Sequence, residues 1–436
     1  MASRAPFLHT KFGGYFHRDV PTEDTELTHV GPGTPCGEYM RRFWQPVCFA
    51  DELKDVPRRV RLLGEDLVLF RDFSGRVGLL ELHCSHRGAS LEFGLINAEG
   101  IRCCYHGWLY ATDGTILETP SEPAESTLRD RLCHGAYPTH EAHGIVFAYL
   151  GPPDLKPPFP AYDSFARPGY RTIPGLSYVY PCNWLQIMEN TMDPTHTAFL
   201  HTTISGAVFT EEFGILPELD FTETPVGMIQ VATRRVGTNV WARMIEAVLP
   251  NLQQVAPIWE DGHAEHPFSG PMMSRWVVPM DDTNTMFVEL RHVSESEGAT
   301  PAWLADRVML PAQAAAETYD AAQRHPGDYE AQVSQRPIAI HGMEHLGASD
   351  RGVGMFRRLT RRGIRAVSAG DDPAGLCRAP GTVMPTFCND TVLRVAPAET
   401  PSEDKDLVRE TGRKLAEGYL KSPPMSGGAP AATSPH

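Results

Sequence analysis

Two short segments confine this chain more than anything else in it. Cys84-Ser85-His86 and Cys103-Cys104-Tyr105-His106 each set one thiol beside one imidazole, spaced C-x-H and C-x2-H, with sixteen residues between the pairs. Two thiolates can hold one iron of a [2Fe-2S] cluster while two neutral imidazoles hold the other. Imidazole brings no negative charge, so the reduction potential rises into the range of about −150 to +300 mV. A cluster of that kind relays single electrons. The fold must therefore bring two loops together, each supplying one ligand of each type.

Structural zinc is the alternative reading of two Cys and two His. Zinc fingers put both Cys in one loop and both His in another. The mixed pairs here suit a Rieske cluster instead. Arg87-Gly88-Ala89 follows the first pair and Gly107-Trp108 the second, and glycine lets backbone N–H groups approach the sulfides closely. Cys103 takes the ligand place because C-x2-H requires it, with Cys104 as the alternative.

Around these pairs the pattern is short strands with turn signals. Val60 to Phe70 reads as strand, turn, strand, and Asp113-Gly114 marks a hairpin between Trp108-Leu109-Tyr110 and Thr115-Ile116-Leu117. A Pro-rich stretch, Gly151 to Pro160, then reads as a linker. Beyond it, segments 227–235, 240–249, 273–279 and 285–292 are predicted as strands of one antiparallel sheet. Segments 184–201, 302–324, 328–336 and 350–366, and a polar stretch from Pro401 to about Leu420, are predicted as helices. The organisation expected is a lead-in over 1–44, a small all-β domain over 45–154, a larger domain over 155–420 and a disordered tail over 421–436. The fold class is α+β, the larger domain an antiparallel sheet flanked by helices in helix-grip style.

Composition narrows the partners. The 436 residues carry a net charge of −15 without a basic block, which argues against nucleic acid. Nine scattered cysteines fit no disulfide framework and suit a reducing compartment. The N-terminus leads into no apolar run and the longest apolar runs, such as Gly144 to Leu150, are too short to span a bilayer. A cytoplasmic protein with no membrane partner is expected.

A second motif opens the larger domain: Asn190-Thr191-Met192-Asp193-Pro194-Thr195-His196-Thr197-Ala198-Phe199-Leu200-His201. Two His and a carboxylate are what a non-haem Fe(II) centre needs, with positions left open for O2 and substrate. On an unbroken α-helix His196 and His201 point about 140° apart. They can share a metal only where the helix bends or ends between them, and Pro194 makes that plausible. Otherwise they are polar residues on a helix face.

C-x-H-x16-C-x2-H followed by N-x2-D-x2-H-x4-H resembles the large (α) subunit of Rieske non-haem iron ring-hydroxylating oxygenases over most of the chain. Glu344-His345-Leu346-Gly347-Ala348-Ser349-Asp350, with Arg357-Arg358 after it, resembles the phthalate dioxygenase-like branch. The resemblance implies that Cys84, His86, Cys103 and His106 hold the cluster and that His196 and His201 ligate the iron. Asp328 sits in the family's place for the carboxylate ligand, although Gly327 stands where relatives often have an acidic residue or Gln. Asp328 could instead cap a helix after the Pro326-Gly327 turn, and Asp350 is the alternative ligand. Asp193 is implied as the bridge, accepting hydrogen bonds from a ligand imidazole and a cluster imidazole. Asn190 is implied to face the iron. The resemblance further implies a homotrimer or a pair of stacked trimers, in which one subunit's cluster lies beside its neighbour's iron. Electrons then come from NAD(P)H through a separate flavin/iron-sulfur reductase, with or without a ferredoxin. The implied reaction is dihydroxylation of an aromatic compound by O2, with O- or N-demethylation as the alternative.

Phthalate-type members bind ring carboxylates with arginine, whose guanidinium fork matches a carboxylate. Candidates are Arg234, Arg235, Arg243 and Arg275, all on predicted strands, with Arg243 singled out because alternation puts it on one face with Trp241. Pro194 stands where phthalate-type members carry a small hydroxyl residue. That points away from phthalate itself, toward another aromatic acid or an aryl ether.

Overall fold

In the computed structural model, which describes residues 11–13, 22–295, 307, 309, 313–423 and 425, the mixed Cys/His loops rise from three small antiparallel sheets. One joins Gln45–Phe49, Ile145–Ala148 and Thr139–Ala142. A second joins Arg58–Leu62, Glu65–Arg71, Val77–Glu81 and Ala136–Tyr137. A third, built from Leu95–Asn97, Gly100–Arg102, Leu109–Tyr110 and Ile116–Glu118, carries the second loop. The Asp113-Gly114 turn closes as the sequence predicts: Gly114 takes a φ of 87°, and Asp113 accepts from the Thr115 N–H at 2.9 Å. Val68, Phe70, Leu80, Leu91, Trp108 and Tyr110 form a separate core together with Cys84 and Cys103. Each such side chain contributes roughly 1.5–3 kcal/mol on burial, so the loops stand on a rigid floor.

The larger part is one nine-stranded antiparallel sheet. Its central strands, Gly227–Val236 and Asn239–Val248, pair without a slip from Gly227↔Val248 to Val236↔Asn239. Every residue of Asn239–Val248 is buried, so both faces of the sheet are covered. The helix Pro401–Lys421 lies so close on one face that a Cβ on Gly412 would stand 2.0 Å from Thr233 Oγ1. Thr233 faces that helix, so by alternation Gln230, Ala232 and Arg234 face the other way. The predicted strands match the observed Gly227–Val236, Asn239–Val248, Met273–Asp281 and Asn284–Ser294.

The helices depart more from expectation. The stretch 184–201 is not one helix: Trp184–Thr191 ends before Asp193-Pro194, and a new turn starts at His196. Proline at 194 cannot supply the next helical N–H, which explains the break. Of the predicted 302–324 helix only Tyr319–Arg324 is helical among the described residues, and much of the remainder lies outside them. The later helices are Asp328–Val333 and Arg351–Ser368. The expected tail over 421–436, like most of the first 21 residues, falls largely outside the described residues.

The two parts are joined by backbone and by core. Leu63 and Gly64 donate N–H groups to the carbonyls of Pro279 and Met280 at 3.0 and 2.8 Å. One apolar core runs from Leu67 and Phe147 to Trp276 and Val288. Among the described residues no helix is long and apolar enough to cross a membrane.

Candidate metal centres and substrate cavity

The two cluster loops share one construction. In the first, the Cys84 N–H donates to Ala89 O and the Gly88 N–H to Cys84 O, at 2.9 and 2.8 Å. In the second, the Cys103 N–H donates to Trp108 O and the Gly107 N–H to Cys103 O, at 2.8 and 3.1 Å. Gly88 and Gly107 take φ of 75° and 73°, a conformation that costs an L-residue about 1–2 kcal/mol. Cys84 and Cys103 are buried while Cys104 is exposed. The rings of His86 and His106 stand 4.6 Å apart, and His86 stacks flat on Trp108 at 4.8 Å. Burial pushes the Cys84 thiol up, Tyr110 and a backbone N–H counter this, and Cys103 alongside raises it again. The Tyr110 hydroxyl lies 2.9 Å from Cys84 Sγ, where it donates to a thiolate. His86 Nδ1 is buried without a hydrogen-bond partner. Leaving a buried nitrogen unsatisfied costs about 1–3 kcal/mol, and metal ligation would remove that cost. The donor set and this orphaned nitrogen fit a [2Fe-2S] cluster.

The second centre is assembled from distant pieces. After the turn His196–Ala198 the chain widens into a π-helix over Phe199–Ile204. The Thr202 and Thr203 hydroxyls donate back to Thr197 O and Ala198 O, five residues earlier. An i→i+5 turn brings residues five apart close to alignment. This replaces the ideal-helix splay with two rings 5.2 Å apart. Asp328 is the first residue of its helix, with Gly327 in the cap position. Its carboxylate is therefore free to face the imidazoles, and its Oδ1 lies 3.3 Å from His201 Nε2 and 3.7 Å from His196 Nε2. These ligand atoms all fall within 4.8 Å of one another, a spacing that could hold one metal ion. Burial alone would push Asp328 up, but His201, His196 and Arg275 outweigh it and hold the carboxyl well below the usual range. Asp350 stays apart: it stands just before the helix Arg351–Ser368 without a side-chain bond to that helix, and its carboxylate accepts from the Gly347 N–H at 2.6 Å.

The neighbours of this centre differ from expectation in one respect. His196 Nδ1 donates to the main-chain carbonyl of Asp193, not to its carboxylate. The carboxylate instead accepts the Thr195 N–H at 3.0 Å across the Pro194 turn. Asn190 Nδ2 donates to Asp328 Oδ1 at 3.3 Å. The Glu344 to Asp350 motif acts at one remove: Arg357 forks onto Glu344 at 2.5 and 2.9 Å and onto Glu189 at 2.5 and 2.7 Å. That ties the motif to the helix carrying Asn190.

A cavity opens beside the imidazoles over the sheet face that bears Gln230, Ala232 and Arg234. Phe209, Phe213, Ile245, Val255, Ile258 and Met273 supply its apolar wall. Of the four candidate arginines, Arg235 turns to the opposite face and pairs with Asp404 at 2.6 Å. Arg243 lines the cavity, but its guanidinium is engaged by Asp390 at 3.3 Å, by Ala256 O at 2.8 Å and by Pro257 O. Arg275 is engaged by Gln253 and Gln313 at 2.8 and 3.0 Å. Arg234 donates to Ile215 O and Thr197 Oγ1 at 2.9 and 3.0 Å, and its Nη1 is buried with no partner. Burial, with Arg243 nearby, pushes its guanidinium down to about 9.

A family model described as the Rieske [2Fe-2S] domain matches residues 43–134. A model described as the vanillate O-demethylase oxygenase C-terminal domain matches 180–295. The tert-butanol monooxygenase / tert-amyl alcohol desaturase oxygenase subunit of Aquincola tertiaricarbonis is 43% identical, over 93% of this chain and 91% of its own. The chain belongs to the Rieske oxygenases. The phenoxybenzoate dioxygenase subunit alpha of Ectopseudomonas oleovorans is 39% identical over 86% of this Rieske oxygenase and 93% of its own length. Dicamba monooxygenase bound to dicamba shares the fold, with a TM-score of 0.56 at 19% identity over 76% of this chain and 98% of that one. As a Rieske terminal oxygenase the protein uses a [2Fe-2S] cluster, a mononuclear non-haem iron and electrons supplied by a reductase.

Sequence reasoning missed Gln313, which touches Asp328, and the aromatic pair Phe209 and Phe213. It grouped Arg234 with the candidates but did not single it out. Period-two alternation from Gln230 would have marked that face, had the inward side been legible.

Proposed function

We propose that this Rieske oxygenase hydroxylates an aromatic carboxylic acid, chiefly by dihydroxylation. The observation that carries this is Arg234: a buried cation at the cavity wall, with its Nη1 amino group unpartnered and, among the described residues, no carboxylate on its guanidinium. Such a group is costly until an anion completes it. The apolar wall suits a ring and excludes water, and the free N–H orients a carboxylate at one end.

In this reading Cys84, Cys103, His86 and His106 hold the cluster, and His196, His201 and Asp328 hold Fe(II). Iron so held supplies the O2 chemistry, in which O2, two electrons and two protons turn an arene into a cis-dihydrodiol. His196 Nδ1, by donating to Asp193 O, turns its Nε2 toward the metal side. The Asp193 carboxylate lies next to this turn and serves as the bridge to a neighbouring subunit's cluster, in a homotrimer or a pair of trimers. The reductase, with or without a ferredoxin, is a separate protein, and the oxygenase itself works in the cytoplasm. The cluster domain spans 45–154 and the catalytic domain 155–420. O-demethylation of an aryl ether acid is the second reading, favoured by the vanillate O-demethylase match over 180–295.

The test supplies the enzyme with a compatible reductase, NADH and O2. It compares aryl carboxylates with their neutral amides and with tert-butanol, reading products by mass. Turnover of the acids, with KM raised about 10- to 100-fold in Arg234→Met, is the expected outcome, since one charge-assisted hydrogen bond is lost. Equal or better turnover of the neutral compounds overturns the reading.

A further inference from the structure

Asp328 offers two oxygens, and the structure treats them differently. Oδ1 faces His201 and His196 and also accepts from Asn190 Nδ2 at 3.3 Å. Oδ2 accepts a hydrogen bond from Gln313 Nε2. The amide's orientation follows from its other partner, because Arg275 Nη1 lies 3.0 Å from Gln313 Oε1 and a guanidinium can only donate. The amide oxygen must therefore face Arg275, which leaves the NH2 for the carboxylate.

Gln313 is itself immobilised. Its main-chain carbonyl accepts from the Tyr180 hydroxyl at 2.6 Å, and Tyr180 packs edge-on against Tyr329, the residue after Asp328. Arg275 is held in turn by Gln253, whose Nε2 donates to Ile187 O at 3.2 Å on the helix that carries Asn190. Gln313 and Asp328 are both buried, so water does not replace this contact at low cost.

We propose that Gln313 is a positioning residue for the metal carboxylate: oriented by Arg275, it occupies Oδ2 and keeps Oδ1 as the oxygen turned toward the metal. This rests on Asp328 being an iron ligand. Ligating carboxylates are commonly hydrogen-bonded, and losing such a partner typically costs 10–100-fold in metal affinity. Without Gln313 the carboxylate can rotate and present both oxygens, taking up a position that O2 needs.

The test uses the complete enzyme with its cluster oxidised and therefore EPR-silent. Fe(II) retention against a chelator and the EPR signal of the nitric oxide adduct of the mononuclear iron are compared in wild type, Gln313→Leu, Arg275→Met and Asp328→Ala. Gln313→Leu is expected to weaken Fe(II) binding about 10- to 100-fold and to change the rhombicity of the nitrosyl signal, with an unchanged cluster spectrum. Arg275→Met should move both readouts in the same direction but less. Where Leu fails to fold, Gln313→Met fills similar volume and carries the test. Wild-type affinity with an unaltered nitrosyl signal in a folded Gln313 variant overturns the proposal. A purely structural role would lower thermal stability without moving that signal, which equally overturns it. Full iron in Asp328→Ala instead refutes the ligand assignment on which it rests.

Discussion

The two metal stations are built in opposite ways. The cluster loops close on themselves through backbone hydrogen bonds spanning a few residues each, over a core of their own. The iron centre gathers a π-turn, the start of a distant helix and a buried polar network over a nine-stranded sheet. The first keeps Tyr105 and its neighbours near solvent, while the second buries His201 and Asp328. An electron relay needs an accessible edge and an oxygen-activating site needs exclusion of water, and each construction matches its task. Locally closed loops also lose little when the rest of the molecule is perturbed, whereas the assembled centre depends on long-range packing.

Four measurements would sharpen or break that comparison, beginning with the largest effect. His86→Ala should abolish the visible cluster spectrum and all turnover while leaving the mononuclear iron in place. Loss of both metals together would show that the stations are not independent. Asp193→Asn keeps an oxygen for the Thr195 N–H, so both metals should stay, yet turnover should fall at least about 100-fold, the effect of about 2.7 kcal/mol. Near-normal turnover would remove Asp193 from the electron path. Asp328→Ala should weaken Fe(II) binding at least about 100-fold, with cluster absorbance unchanged; Asp350→Ala should do neither, and the reverse pattern would exchange the two assignments. The smallest effect belongs to Tyr110→Phe. Losing one hydrogen bond to sulfur, about 1–1.5 kcal/mol, should lower the cluster potential by about 40–60 mV without touching the iron. A potential unchanged on voltammetry would mean that Tyr110 serves packing only.

The legible part of the sequence was short-range. Cys84, His86, Cys103 and His106 were named from spacing, and the loop geometry brings them together with Cys103 inward and Cys104 outward. The four strand segments predicted for the large sheet match observed strands. The helix expected over 184–201, with a bend or end needed for His196 and His201 to share a metal, is in fact broken before Asp193-Pro194 and widened into a π-turn over Phe199–Ile204. Arg243 was singled out over Arg234 because alternation reveals which residues share a face but not which face is inward. The partners that neutralise Arg243, Asp390 and the carbonyls of Ala256 and Pro257, lie on other segments.

By itself the sequence determined the chemistry of the donors: mixed thiol and imidazole pairs at loop spacing, and two imidazoles five residues apart. Short spacings constrain local geometry strongly, so these needed no knowledge of the fold. Only the tertiary structure decided that Asp328, and not Asp350, meets the imidazoles. It alone left Arg234 with a free N–H and set Gln313 between Arg275 and Asp328. Those outcomes rest on contacts between segments far apart in the chain, set by sheet register and burial, which local sequence does not encode.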